Sequence, residues 1–125
     1  MGHVYVDATL SWATSEPVRL LVDTGATYGI VPADLAARLG LPLSPVPRKV
    51  RLADGREAEW PFTTLWASVA GREAAVTSFV APPGAEPVLG VEGLECLGLA
   101  VDPADGRLLP TRAHAVLAVG YRLPP

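Results

Sequence analysis

The chain has 125 residues, half of them hydrophobic and 18% charged, with a net charge of −3, which fits one domain spanning 1–125 with an ordinary core. Its nine arginines and one lysine are scattered, so no nucleic-acid partner is expected. No apolar run approaches the roughly 20 residues of a membrane span and the N-terminus lacks an export pattern, so a soluble, cytoplasmic chain with no membrane partner is expected.

Thirteen prolines and twelve glycines cut the chain into short apolar segments, a punctuation that predicts an all-β fold with one or two short helices. Val4 to Trp12 reads as a strand, Ala13 to Pro17 as a turn, and Val18 to Val22 as the returning strand of a hairpin. Gly29 to Val31 is a further short strand. Pro32 to Leu39 then reads as a two-turn helix with Pro32 in its first turn and Gly40 as its stop.

After a proline-rich linker to Pro47, Lys49 to Ala53 and Arg56 to Trp60 flank Asp54-Gly55, a dipeptide suited to a tight hairpin turn. Thr63 to Val69 and Glu73 to Val80, joined by Ala70-Gly71-Arg72, form a third hairpin. Pro82-Pro83-Gly84 breaks the chain before the short strand of Pro87 to Gly90. Val91 to Leu97 reads as a short helix capped by Gly98, and Leu99 to Asp102 and Arg107 to Leu109 as a last pair of strands. The tail from Thr111 to Pro125 reads either as a final strand or as partly disordered.

The chemistry-bearing residues are few. Cys96 is the only cysteine and lies among Leu94, Leu97 and Leu99, as a small buried hydrophobe would. With His3 and His114 as the only histidines, neither a Cys/His catalytic pair nor a zinc site is expected, and no metal or cofactor is called for. Asp23 stands out. It follows Leu20-Leu21-Val22, precedes Thr24-Gly25, and is soon followed by Ile30-Val31. A turn or cap residue would account for each of these types separately. A carboxylate in so apolar a setting, however, is costly unless paired, and functional sites are where that cost is tolerated.

Leu21-Val22-Asp23-Thr24-Gly25-Ala26 resembles the active-site motif of the retropepsin-like aspartic proteases, the single-lobe relatives of pepsin. Three further features fall in the family's order. Arg51 to Gly55 resembles the start of the flap hairpin, Val88-Leu89-Gly90 the apolar-apolar-Gly element that crosses beneath the active-site loop, and Leu94 to Asp102 the helix and strand that follow. The resemblance spans about 18–109. It departs from the family at Val91-Glu92, where relatives often carry Asn, Asp or Arg, and at Thr27-Tyr28-Gly29, where a second acid is common.

The resemblance implies a closed β-barrel or sandwich of short strands, with Asp23 as the catalytic residue and Thr24, Gly25 and Ala26 supporting its loop. Thr24 would make cross-subunit hydrogen bonds, and Ala53, Asp54, Gly55 and Arg56 would lie at a flap over a peptide substrate. Peptide hydrolysis of this kind uses two carboxylates, and no other aspartate here has the Thr/Ser-Gly context. A homodimer with Asp23 from each copy is therefore expected, closed by terminal strands at Gly2 to Tyr5 and His114 to Tyr121. Trp60 and Trp66 are expected in the core or an interface. The alternative of another class is a catalytically weak or inactive dimerisation or peptide-binding module of the same fold. An unrelated small β-barrel binding protein would require the motif to be accidental.

Overall fold

The computed structural model describes residues 3–111, and β1 (Val4–Ser11) and β2 (Ser15–Val22) open it as an antiparallel hairpin in register from Ser11↔Ser15 to Val4↔Val22. Alternation sets the two faces: Ala8, Leu10, Leu20 and Val22 point inward, while Asp7, Thr9 and Arg19 point out. The loop is shorter than the sequence suggests, because Ser15 to Pro17 already belong to β2. Pro17 lies opposite Thr9, and β8 (Val88–Leu89) engages β2 only at Leu21 and Val22, so the missing N–H of Pro17 falls on an open strand edge.

β3 (Gly29–Pro32) leads into α1 (Ala33–Leu39). Pro32 closes the strand opposite Ala81 and stands at the helix cap instead of inside the first turn, and Gly40 ends the helix at φ 71°. The orphan carbonyls at the end of α1 find partners in the β1–β2 loop: Ala13 N–H donates to Leu39 O, and the Thr14 hydroxyl donates to Arg38 O.

β4 (Arg48–Arg51) and β5 (Glu57–Trp60) pair only with each other. Their connection is not a two-residue Asp-Gly turn. Leu52 N–H donates to Arg56 O and Gly55 N–H to Leu52 O, so Ala53-Asp54-Gly55 form a three-residue loop with only Gly55 at positive φ.

β6 (Phe62–Val69) and β7 (Arg72–Ala81) make the longest hairpin. After β8 come α2 (Val91–Leu97), ended by Gly98 at φ 68°, and the pair β9 (Leu99–Val101) and β10 (Leu108–Pro110).

Six strands close on themselves in the order β1-β2-β8-β3-β7-β6, with β6 returning to β1 through Ala8–Ser11. The closure is thinnest at β8, which offers two residues to β2 and one to β3, so the sheet is a ring more than a regular barrel. The fold is all-β as the punctuation predicted. Leu10, Leu20, Leu65, Val31 and Val69 fill the ring, and Leu35 and Leu39 of α1 with Leu94 and Leu97 of α2 join the same buried cluster. Trp66 is not part of that core: it is 45% exposed on the outer face of β6, while Trp60 is half-buried. No described helix is long and apolar enough to cross a membrane. Met1, Gly2 and 112–125, with the expected terminal strand of His114 to Tyr121, lie outside the described residues.

The β6–β7 turn holds one unfavourable residue. Val69 pairs with Arg72, leaving Ala70-Gly71 as a two-residue connection with both at positive φ, 52° and 75°, as in a type I′ turn. A left-handed alanine costs about 1–2 kcal/mol, and asparagine tolerates that conformation better. Ala70→Asn is therefore expected to stabilise the fold by about 1 kcal/mol and to raise the thermal midpoint by a few degrees at fixed protein concentration. An unchanged or lower midpoint would refute the turn assignment.

Candidate functional site

The loop of Asp23 to Tyr28 owes its position to strand order. β2 and β3 follow each other in sequence but are not neighbours in the sheet, because β8 is inserted between them. β2 and β8 run parallel with Val22 level with Leu89, so Asp23 and Gly90 leave the sheet at the same end, and the loop must pass over Gly90 to reach β3.

Gly90 has no room for a side chain: a Cβ would lie 2.6 Å from Tyr28 O and 2.9 Å from Ala26 O. Its φ of −95° is open to any residue, so close approach, not backbone conformation, demands glycine here. Gly29 meets the same limit, with Val88 O 2.5 Å from a Cβ position.

The loop is held almost wholly by backbone groups. Asp23 N–H donates to Leu89 O at 3.0 Å and Ala26 N–H to Asp23 O at 3.2 Å. From the other side, the first two N–H groups of α2 donate into the loop, Val91 to Ala26 O at 2.8 Å and Glu92 to Thr27 O at 2.9 Å. These are the donors a helix start leaves unpaired, and the loop carbonyls satisfy them.

Asp23 itself is exposed, as are Thr24 and Gly25, while Ala26 is half-buried. The desolvated carboxylate inferred from the apolar flanks is thus corrected: those flanks are strand residues, with Leu20, Val22 and Val31 pointing into the ring and Leu21 and Ile30 half-buried between them, and the acid lies just beyond the strand end. Asp23 Oδ1 accepts the Gly25 N–H at 2.9 Å, and no described donor reaches Oδ2. Tyr28, 41% exposed, sets its ring edge-on to Phe79 at 6.0 Å.

Each other aspartate has a different setting. Asp34 pairs with Arg38, and Asp102 accepts the Ala104 N–H within its own turn. Asp7 is exposed on β1 opposite Arg19. Asp54 and Asp105 each accept the N–H and the guanidinium of the arginine two residues on, Arg56 and Arg107. These twin Ala-Asp-Gly-Arg turns, at 53–56 and 104–107, show that the geometry at the tip of the β4–β5 hairpin is a local turn structure. Ala53, Asp54, Gly55 and Arg56 are all exposed, and their described hydrogen bonds stay inside the hairpin. Nothing bonds them to the Asp23 loop among the described residues.

Cys96 is half-buried against the core, and burial, followed by the Glu92 and Glu95 charges, pushes its thiol up. That environment disfavours a nucleophilic thiolate. No group of three or more His, Cys, Asp or Glu residues that could hold a metal occurs among the described residues. One residue at the site was not singled out for its contacts by sequence. Glu92 accepts both the N–H and the hydroxyl of Thr77 on β7, at 3.0 and 3.2 Å. The signal available was weak, since an acid in the first turn of a helix is common for dipole reasons alone.

A family model described as aspartyl protease matches residues 8–96, more than half of the chain. The match runs from the second half of β1 through most of α2, starting earlier and ending earlier than the 18–109 suggested by the motifs. No curated protein gives a significant match.

The crossing at Gly90 is open to a direct test. Gly90→Ala is expected to destabilise the fold by about 1–3 kcal/mol, as overpacking does, read as a lower urea midpoint. It should also speed amide exchange at Asp23 and Val91. Wild-type stability in this variant would show that loop and β8 are not in close contact.

Proposed function

The chain belongs to the aspartyl protease family in its retropepsin-like form, and from that premise we propose that it is an aspartic endopeptidase acting as a homodimer, with Asp23 of each copy at one shared site. The observation that carries the reading is the exposed carboxylate of Asp23 on a loop whose backbone is fixed from two sides. A rigidly mounted acid at the surface, with Oδ1 oriented by Gly25 N–H, suits a group meant to meet a partner outside its own chain.

The partner proposed is its own symmetry mate. Peptide hydrolysis by this route needs one carboxylate to take a proton from water while a protonated one donates to the substrate carbonyl. A two-fold axis through the site brings identical groups face to face, and two carboxylates so close hold one proton between them. Water then adds to the carbonyl carbon, and the tetrahedral adduct breaks its C–N bond as a proton passes to the leaving amine. No covalent enzyme intermediate, metal or cofactor takes part.

In this reading Thr24, Gly25 and Ala26 support the loop, and Thr24, exposed in the single chain, bonds across the two-fold axis. The β4–β5 hairpin is the cover, with Ala53 to Arg56 at its tip over an extended peptide, in the manner of active-site lids. Its isolation as a two-stranded sheet supports that role.

The test is digestion of a peptide library at several pH values by wild type and Asp23→Asn, with sizing of both. Wild type is expected to cleave as a dimer within a limited pH range, and Asp23→Asn to stay dimeric with activity reduced at least about a hundredfold. Cleavage that survives the substitution would overturn the assignment of Asp23. A dimer inactive at every pH would instead favour a binding module of the same fold.

A further inference from the structure

Glu92 occupies a position that no other residue of the site shares, because it is bonded in both directions. Its backbone N–H donates to Thr27 O in the active-site loop, and its carboxylate accepts from Thr77 N–H and Thr77 Oγ1 on β7. The sheet explains why Thr77 needs such a partner. β7 pairs with β6 through Thr64↔Thr77 on one side, but its parallel pairing with β3 begins only at Gly29↔Ser78. Thr77 thus lies one residue beyond the end of β3, and the Glu92 carboxylate takes the place of the strand that is not there. A part-buried backbone N–H without an acceptor would carry a desolvation cost.

Gly93 and Leu94 pack the first turns of α2 into the core, but no side chain caps the helix start. Gly90, at its cap position, makes no side-chain cap and must stay small because Tyr28 and Ala26 lie against it. The N–H groups of Val91 and Glu92 are nonetheless two of the bonds that hold the loop, with Asp23 N–H to Leu89 O on the opposite side. Whatever anchors the first turn of α2 therefore anchors the loop as well.

We propose that Glu92 is a positioning residue for Asp23, tying the first turn of α2 to β7 so that the helix start holds the loop in one place. This rests on the endopeptidase reading for its catalytic consequence, though the tie itself does not. A glutamine keeps the geometry, since its amide oxygen accepts from Thr77 N–H and its amide nitrogen donates to Thr77 Oγ1. Alanine removes both bonds and leaves Thr77 unpaired. Misplacing a catalytic group by even about 1 Å lowers turnover strongly, and the described bonds of the Glu92 carboxylate go to Thr77, so the loss is expected in kcat.

The experiment uses the full chain as wild type, Glu92→Ala and Glu92→Gln, and has two arms. Amide hydrogen exchange is measured at Thr77, Val91 and residue 92, which reads the tie whether or not the chain cleaves peptides. Glu92→Ala is expected to speed exchange at all three by at least about tenfold, and Glu92→Gln to stay close to wild type. Steady-state cleavage of a peptide substrate is then expected to show kcat reduced about tenfold or more in Glu92→Ala with KM within about twofold, and most of that loss recovered in Glu92→Gln. Unchanged exchange at Val91 and residue 92 in the alanine variant would overturn the tie. An unchanged kcat, or a glutamine variant as impaired as alanine, would overturn the positioning role. Wild type without activity alongside the expected exchange result would count against the endopeptidase reading and leave the tie supported.

Discussion

A single crossing governs this structure: the chain from Asp23 to Tyr28 passes over the backbone of Leu89 and Gly90. The ring order places β8 between β2 and β3, and a connection between two strands separated by a third has to go over its end. Everything local follows from that contact. Gly90 lacks a side chain because the carbonyls of Tyr28 and Ala26 occupy its place. Asp23 donates its N–H to β8 because it is level with the end of that strand, and α2 begins where its free N–H groups can meet the loop carbonyls. A helix start and a strand end, both with unpaired backbone groups, are completed by one loop.

This construction separates what supports the carboxylate from what surrounds it. The support is backbone, with Leu89 and Leu94 in the core cluster beneath, while the carboxylate itself faces solvent. An acid held this way needs no counter-charge from its own chain to be stable. Its carboxylate faces solvent and accepts the Gly25 N–H, so the loop is positioned without a charged partner from its own chain.

The rest of the ring shows the same economy with polar groups. The β1–β2 loop satisfies the end of α1, Glu92 completes the edge of β7 beyond β3, and Ser44 both donates to and accepts from Phe62 where the linker meets β6. In each case a short element stops before its neighbour does, and a side chain or loop from elsewhere in the sequence meets the exposed backbone. No buried side-chain nitrogen or oxygen is without a partner among the described residues. The β4–β5 hairpin is the exception in construction, closed by its own hydrogen bonds and by one local pair, Asp54–Arg56, that is largely exposed and contributes little. Few long-range ties is the local condition under which a hairpin opens at low cost.

Much was legible from residue types acting locally. Prolines and glycines marked the strand ends, Gly40 and Gly98 marked both helix stops, and Leu21 to Ala26 with Val88 to Gly90 carried the family resemblance in the right order. The errors were also local in kind. Pro32 and Pro17 sit in strands because an edge was free at each, and the Asp54-Gly55 turn took three residues because only Gly55 needed a positive φ. The sequence by itself determined the elements, the core side of each strand and the place of Asp23 at the end of β2, since periodicity and backbone preference act over a few residues. Only the tertiary structure decided that Asp23 would be exposed and that Glu92 would reach Thr77, because both depend on β8 entering the sheet between β2 and β3, through pairings of residues more than fifty positions apart in the chain.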